Sequence, residues 1–439
     1  MLADEWLDEL ADFLRIPSVS ADAQRADDVA RAAEWVAAYV RRAGGTADVA
    51  EEGRLVVGEI PASTGPGAPT VLVYGHYDVQ PPDPLDLWET DPFEATVRGE
   101  WLHARGVADD KGQLWMQLKA AALLAGERAL PVTLRVVCDG EEETGGETIA
   151  RFLEADERGA DAAVVFDGWM KQRGVPELVV ATRGVIAFDI EVQTGIRDLH
   201  SGHYGGTALN AIHALVEALS ALFPSDGRLP ESLRQGLLQP TDEELAAWRE
   251  LPPGEGELRK VGAPPLDERA AEDFYVRTWA EPSIDVNGIV GGKPGLRNTT
   301  LVSRASANFT IRLAPGQDVQ MIAQAAESLL RVAAPLGAAL DIRWEGTPPG
   351  MTSPDSEPIR LALEAFERVF GRRPLLVRAG GSLPIVHALG ECGIPLVLAG
   401  LALPESHTHS PNERMLLETF ELGVSAARET YLGLAGLGG

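Results

Sequence analysis

Short, continuously apolar segments separated by stretches of helical periodicity constrain this chain more than any other feature of its sequence. The apolar segments lie at residues 70–74, 132–137, 162–166 and 394–398. Residues 112–126 and 146–156, which separate the first three, have the apolar spacing of helices. Strands that are apolar on both faces are typical of a parallel sheet covered by helices. We therefore predict an α/β fold with a mainly parallel sheet flanked by helices.

The pattern changes near residue 183 and returns near residue 350. Residues 185–192 and 306–313 alternate between apolar and polar side chains, as strands with one exposed face do. Helical periodicity follows at 207–222 and 318–334. These features predict a separate α+β domain inserted into the first. The predicted bounds are residues 1–182 and 348–439 for the first domain and 183–347 for the inserted domain.

Composition excludes several classes of function. The formal net charge is −28, and so acidic a surface repels nucleic-acid phosphates and anionic lipids. We therefore predict neither a nucleic-acid nor a membrane partner. The two cysteines form no C-x-x-C pair, which argues against a disulfide framework and a thiolate zinc site. Because no leader-like segment or long apolar run is found, we predict a cytoplasmic protein.

Side chains that can bind metals follow the predicted strands. His76, Asp167 and the acidic residues 139–143 each come after a different strand, Asp109 precedes a helix, and His409 lies near the C-terminus. Ligands of open α/β sheets bind beyond the carboxyl ends of the strands, so we expect these groups to converge. Without cations, such clustering of carboxylates would be costly. Imidazoles mixed with carboxylates suit zinc, cobalt or manganese better than calcium.

Each of these residues also has a simpler explanation when it is taken alone. An aspartate after a strand is commonly a turn residue, and a histidine there can be structural. An acidic run is commonly a solvated turn. Their occurrence together at one edge of the sheet favours the metal site.

Five ordered segments carry a resemblance to a known family. They are GHYDVQP at 75–81, ARGVADDKG at 104–112, DGEEETG at 139–145, DLHSG at 198–202 and HSPNE at 409–413. The chain resembles, over nearly its whole length, the di-zinc metallopeptidase family of carnosinases and cytosolic dipeptidases. Aminoacylase, succinyl-diaminopimelate desuccinylase and glutamate carboxypeptidase belong to the same family. The resemblance implies a zinc-exopeptidase-like catalytic domain with an inserted lid or dimerisation domain.

The resemblance also implies a ligand set for two divalent metal ions per subunit. His76 and Asp167 are expected to bind one ion, Glu143 and His409 the other, and Asp109 to bridge them. Zinc is the expected metal, with manganese or cobalt as alternatives. The peptide bond after the bridging aspartate is expected to be cis.

Three further residues are implied to act in catalysis. Glu142 matches the family's general base, which takes a proton from the attacking water and passes it to the leaving amine. Asp78 matches the carboxylate that orients the first ligand histidine. His200, in the inserted domain, matches a histidine that stabilises the oxyanion, often in the partner subunit's site.

Substrate contacts are implied in the later part of the chain. Arg312 matches an arginine that binds the substrate's terminal carboxylate with two hydrogen bonds. Arg378, Gly381 and Ser382 match a substrate loop, and Asn298 is a further candidate contact.

The predicted function is metal-dependent hydrolysis of dipeptides or short peptides by a homodimer that assembles through the inserted domain. An alternative within the family is an N-acyl-amino-acid deacylase or desuccinylase. A remote alternative is a non-catalytic homologue that binds metal, although such a protein would be expected to lack a ligand or the base.

Overall fold

A computed structural model of the chain describes residues 2–293, 295 and 297–438. Its α-helices, numbered along the chain, are α1 (Asp4–Leu14), α2 (Ala26–Arg42), α3 (Lys111–Gly126), α4 (Glu147–Glu154), α5 (Ser201–Tyr204), α6 (Ala211–Ser220), α7 (Asp242–Trp248), α8 (Gly254–Lys260), α9 (Val319–Ala333), α10 (Glu357–Phe370), α11 (Pro384–Glu391) and α12 (Leu417–Leu434). No helix among the described residues is long and apolar enough to cross a membrane.

The strands are numbered in the same way. They are β1 (Thr46–Ala50), β2 (Leu55–Ile60), β3 (Thr70–His76), β4 (Thr96–Arg98), β5 (Trp101–His103), β6 (Thr133–Asp139), β7 (Ala162–Phe166), β8 (Glu177–Thr182), β9 (Gly184–Gln193), β10 (Leu199–His200), β11 (Ser283–Val290), β12 (Thr300–Leu301), β13 (Arg304–Leu313), β14 (Ala339–Thr347), β15 (Gly350–Met351), β16 (Leu375–Ala379), β17 (Leu396–Ala399) and β18 (Arg414–Leu416).

The chain divides into two compact units. The first comprises Met1–Val180, Met351–Val377 and Pro384–Gly439, and the second comprises Ala181–Gly350 and Arg378–Leu383. The second unit therefore interrupts the first, and it also takes in a short segment from the later part of the chain.

The first unit is built on a large mixed sheet. Its strand order is β1-β2-β6-β3-β7-β17-β8-β15, with β16 paired to β8. The central strands β6, β3, β7 and β17 run parallel, whereas β1 is antiparallel to β2, β2 to β6, and β8 to β17. Every residue of β7 is buried, and α3 is buried over most of its surface, because helices cover the sheet. The predicted α/β fold is confirmed.

The register of the parallel strands brings their carboxyl ends to one edge. His76, the last residue of β3, lies opposite Asp139, the last residue of β6. On the other side of the sheet centre, Ala399 at the end of β17 lies opposite Phe166 at the end of β7. The segments that leave these strands therefore start side by side.

The second unit contains an antiparallel sheet in the order β11-β13-β9-β14. Buried and more accessible residues alternate along β9 and β13, which confirms that one face of this sheet is less buried. Helices α6 and α9 pack against it, and Phe188 stacks on Phe309 in the core with ring centroids 4.7 Å apart. Helix α6 begins at Ala211, later than the predicted residue 207, because the Asn210 side chain caps it by accepting from the Ile212 N–H.

Candidate metal centre

Segments from remote parts of the chain meet at the carboxyl edge of the large sheet. His76 ends β3, Asp167 directly follows β7, and Glu143 lies in a short helical turn, Glu142–Thr144, after β6. Asp109 precedes α3, and the peptide bond between Asp109 and Asp110 is cis, as the resemblance implies.

Asp109 lies between two histidines. Its Oδ1 is 3.0 Å from His76 Nε2, and its Oδ2 is 2.9 Å from His409 Nε2. His409 Nε2 is also 3.3 Å from Glu143 Oε2. One carboxylate thus presents each of its oxygens to a different imidazole, which is the arrangement needed to bridge two cations.

The potential ligand atoms fall into two groups that share this aspartate. One group is His76, Asp109 and Asp167, and the other is Asp109, Glu143 and His409. Within each group, the ligand atoms all lie within 4.8 Å of one another. All five residues predicted as ligands from the sequence are therefore brought together in the first unit.

Two carboxylate oxygens in these groups lack hydrogen-bond partners among the described residues. They are Glu143 Oε1 and Asp167 Oδ2, and both are buried. Burial, reinforced by neighbouring carboxylates, raises the pKa of Asp167 well above its usual range. Buried polar atoms ordinarily have partners, so these oxygens have unused coordinating capacity. The donor set of imidazoles and carboxylates fits two divalent ions of the zinc, manganese or cobalt type.

The pKa of His409, the more exposed of the two histidines, is set by the same carboxylates. Hydrogen bonds that His409 donates to Asp109 and Glu143 raise its pKa to about 10. The site thus strongly favours a positive charge at this position. A divalent cation bound to neutral imidazole would supply that charge in place of the proton.

Asp78 connects the first histidine to the turn that carries the two glutamates. Its Oδ1 lies 3.3 Å from His76 Nδ1 and accepts from the Glu142 backbone N–H at 3.2 Å. Its Oδ2 accepts from the Glu143 N–H at 3.1 Å and from the Ser20 hydroxyl at 2.6 Å. Asp78 therefore orients both His76 and the glutamate turn, and Ser20 in turn holds Asp78.

Glu142 is the adjacent carboxylate that belongs to neither ligand group. Burial raises the pKa of Glu142 to about 7. His76 acts to lower this pKa, and the neighbouring carboxylates act to raise it. Divalent ions in the two ligand groups would lower this pKa by favouring the carboxylate form, which is the form that can accept a proton.

Several residues that hold the ligands were not singled out from the sequence. Gln80 Nε2 donates to Glu143 Oε2 at 2.8 Å, and Asp110 Oδ2 accepts from the His76 backbone N–H at 3.1 Å. Glu413, which is fully buried, accepts from the Asp109 N–H at 3.2 Å. All three lie inside the five family-like segments. Only their partners, and the burial of Asp110 and Glu413, distinguish them from solvated polar residues.

The residues predicted to act on substrate, apart from Glu142 and Asp78, all lie in the second unit. His200 is exposed, its Nδ1 accepts from the Gly202 N–H at 3.0 Å, and its ring stacks on His203. Arg312 Nη1 lies 3.3 Å from Ser382 Oγ, which joins two of the predicted substrate contacts. Asn298 Oδ1 accepts from the Thr300 N–H.

The loop predicted to contact substrate is anchored by a buried arginine. Arg378 is 2 % exposed, and its guanidinium donates to Glu244 through two nitrogens and to the carbonyls of Leu238 and Gln239. The Arg378 guanidinium thus makes its hydrogen bonds to other residues of the second unit. A Cβ added at Gly381 would meet no atom within 4 Å, so the backbone there is open to approach.

The fold and the ligand set define a class of metal-dependent peptidases. Residues 72–432 match Peptidase family M20/M25/M40, and the chain belongs to this family. The chain is therefore a peptidase, and the predicted family is confirmed.

Similar proteins with known names indicate which branch of the family the chain resembles. The chain is 29% identical to a cysteinylglycine-S-conjugate dipeptidase of Corynebacterium striatum, over 92% of this chain and 90% of the relative. It is also 29% identical to the human Beta-Ala-His dipeptidase, over 84% and 75% of the two chains. The M20 family metallo-carboxypeptidase Sso-CP2 from Sulfolobus solfataricus superposes with a TM-score of 0.83 at 25% identity, covering 99% of each chain.

Proposed function

We propose that this protein is a two-metal dipeptidase that hydrolyses the peptide bond of dipeptides or short peptides. The observation that carries the proposal is the position of Asp109, whose two oxygens face His76 and His409 at 3.0 and 2.9 Å. The dipeptidase names of the relatives support the choice of substrate.

His76 and Asp167 would hold one ion, Glu143 and His409 the other, and Asp109 both. Bound there, two divalent ions would supply Lewis-acid activation of water and of the scissile carbonyl. Zinc is the proposed metal, with manganese and cobalt as alternatives. The unpartnered buried oxygens of Glu143 and Asp167 support this assignment.

Glu142 would act as the general base. It would accept a proton from the attacking water and deliver it to the leaving amine nitrogen, so that one carboxyl group serves both steps. Asp78 would keep Glu142 in reach by accepting from its backbone N–H.

The second unit would supply the substrate contacts. His200 would donate to the developing oxyanion, and Arg312 would bind the terminal carboxylate of the peptide. Gly381, Ser382 and Asn298 would border the substrate. Because the Arg378 guanidinium is occupied by Glu244, we propose that Arg378 acts by anchoring the loop that carries Gly381 and Ser382.

A substrate panel should separate a dipeptidase from a deacylase. We expect dipeptides to be hydrolysed with kcat/KM at least about tenfold above that of N-acetyl or N-succinyl amino acids, equivalent to about 1.4 kcal/mol of transition-state binding. The measurement is kcat/KM for both classes with Zn²⁺, Mn²⁺ and Co²⁺ supplied separately. Faster turnover of the N-acyl substrates would assign the protein to the deacylases.

We also propose a homodimer formed through the second unit, with His200 acting on the partner's substrate. Mixing His200→Ala chains with Glu142→Ala chains should then restore activity, because one site of the mixed dimer would contain both intact residues. In the ideal case, random exchange makes half of all dimers mixed, and each has one competent site. Each variant mixed with itself is the control. Failure to restore activity after verified subunit exchange would argue that His200 acts within its own chain.

The cytoplasmic location expected from the sequence stays a prediction.

A further inference from the structure

A buried ion pair adjoins the metal centre and takes no part in the chemistry proposed above. Arg105 is 1 % exposed and Glu413 is fully buried, and Arg105 Nη1 donates to Glu413 Oε2 at 2.7 Å. Buried ion pairs commonly stabilise a fold no better than apolar residues of similar volume. The contacts of this pair point to a different purpose.

Glu413 binds the loop that ends in the bridging aspartate. Its Oε1 accepts from the N–H groups of Ala108 at 2.8 Å and Asp109 at 3.2 Å. Its Oε2 accepts from the Gly106 N–H at 2.9 Å. Three backbone donors of one loop thus converge on a single carboxylate, which fixes the position from which the Asp109 side chain extends.

The same residue fixes the segment that carries His409. Glu413 follows His409 by four positions, and its carbonyl oxygen accepts from the Ala104 N–H at 3.2 Å. Immediately afterwards, β18 pairs with β5, with Arg414 opposite His103. Glu413 therefore joins the Asp109 loop to the His409 segment through both its side chain and its backbone.

Arg105 extends this connection to a third ligand. Its Nη2 donates to the Pro81 carbonyl at 3.2 Å. Pro81 follows Gln80, whose amide donates to Glu143 Oε2 at 2.8 Å. The pair thus contacts the segments of Asp109, His409 and Glu143, which together form one of the two ligand groups.

We propose that Arg105 and Glu413 are positioning residues for the ion held by Asp109, Glu143 and His409, and that replacing them weakens this ion more than the other ion, which shares only Asp109 with it. This inference rests on the two-metal function proposed above. Residues that orient metal ligands typically change metal affinity by about 10- to 100-fold when they are replaced.

The test is Zn²⁺ binding by metal-stripped protein, measured by calorimetry and by competition with a chelating indicator. Wild-type protein should bind two ions per chain. Glu413→Gln should weaken one ion by about 10- to 100-fold. It should weaken the other ion much less, because that ion depends on the Glu413 contacts only through Asp109. The first ion is weakened because the new amide nitrogen would face N–H donors of Gly106 or Arg105 instead of accepting from them.

A matched control is Asp156→Asn, which disrupts another Arg–carboxylate pair of the first unit. Arg135 donates to Asp156 at 2.8 and 2.9 Å, and the side chains are 4% and 11% exposed. Both variants should lose thermal stability, but only Glu413→Gln should lose affinity for one ion. A purely structural role for Glu413 would make the two variants alike in metal binding.

Double substitution identifies which ion is affected. If Glu413 acts on the ion bound by His409, Glu413→Gln should weaken zinc binding no further in a His409→Ala background than His409→Ala does alone. Additive losses, or equal weakening of both ions by Glu413→Gln, would overturn the inference.

Arg105→Lys keeps the positive charge and removes the guanidinium. It can replace Glu413→Gln as the test variant if Glu413→Gln does not fold. It should weaken the same ion by less than Glu413→Gln would, and unchanged affinity would refute the proposal. If wild-type protein bound no metal, the proposed function itself would fail. Two tightly bound ions in both wild type and Glu413→Gln would refute only the positioning role.

Discussion

Replacing Glu142 by alanine is expected to lower kcat by about 10²- to 10⁴-fold, the usual contribution of a general base. The replacement removes the half-buried carboxylate that we propose accepts the proton of the attacking water. Metal content should remain at the wild-type level, because Glu142 belongs to neither ligand group. The measurements are steady-state kinetics on a dipeptide and elemental analysis of the purified variant.

The adjacent Glu141 provides a matched control for this experiment. Its Oε1 accepts from the Thr148 N–H at 2.7 Å, and a glutamine could keep that bond while removing the charge. Glu141→Gln should therefore retain kcat to within a few-fold, whereas Glu142→Ala should not. Unchanged turnover in Glu142→Ala, with metal bound, would refute its assignment as the base.

Replacing Asp109 by alanine is expected to have the largest effect of any single substitution, because both ions should be lost together. Loss of a residue that hydrogen-bonds to a metal ligand typically lowers metal affinity by about 10- to 100-fold. Loss of a ligand shared by two ions should therefore lower the affinity for each ion by more than this. His409→Ala should instead weaken mainly one ion, since His409 belongs to one ligand group. Metal titration of the stripped variants, with hydrolysis of a dipeptide measured in parallel, separates these outcomes.

The two variants control for one another, since each removes one potential ligand side chain from the same cluster. Circular dichroism should show that both remain folded, because neither Asp109 nor His409 belongs to the apolar core cluster of the first unit. An Asp109→Ala protein that still bound two ions with wild-type affinity would exclude the bridging role and, with it, the two-metal mechanism.

The architecture was accessible from the sequence because apolar periodicity is a local property. Continuous apolar segments at 70–74 and 162–166 predicted buried parallel strands, and the structure has β3 and β7 there. The edge at which ligands would gather followed from topology alone, since parallel strands direct their carboxyl ends to the same side. The change to alternating polarity near residue 183 indicated the half-exposed antiparallel sheet of β9 and β13.

The details of the site were less accessible, because they depend on partners that are distant along the chain. Glu413 in the HSPNE segment could have been a solvated acid, yet it is buried and accepts from the Asp109 loop 304 residues earlier. Arg378 matched a substrate loop, whereas the structure engages its guanidinium with Glu244. Neither pairing has a signature in local spacing.

Residue type and apolar pattern, which are local properties, identify side chains that could bind metal and place them after strands that share one edge, and the family resemblance adds Glu142 as the base. The folded chain alone shows that Asp109 turns one oxygen toward His76 and the other toward His409. That orientation depends on the contacts of Asp78, Gln80 and Glu413, which form only when the folded chain excludes water from around them.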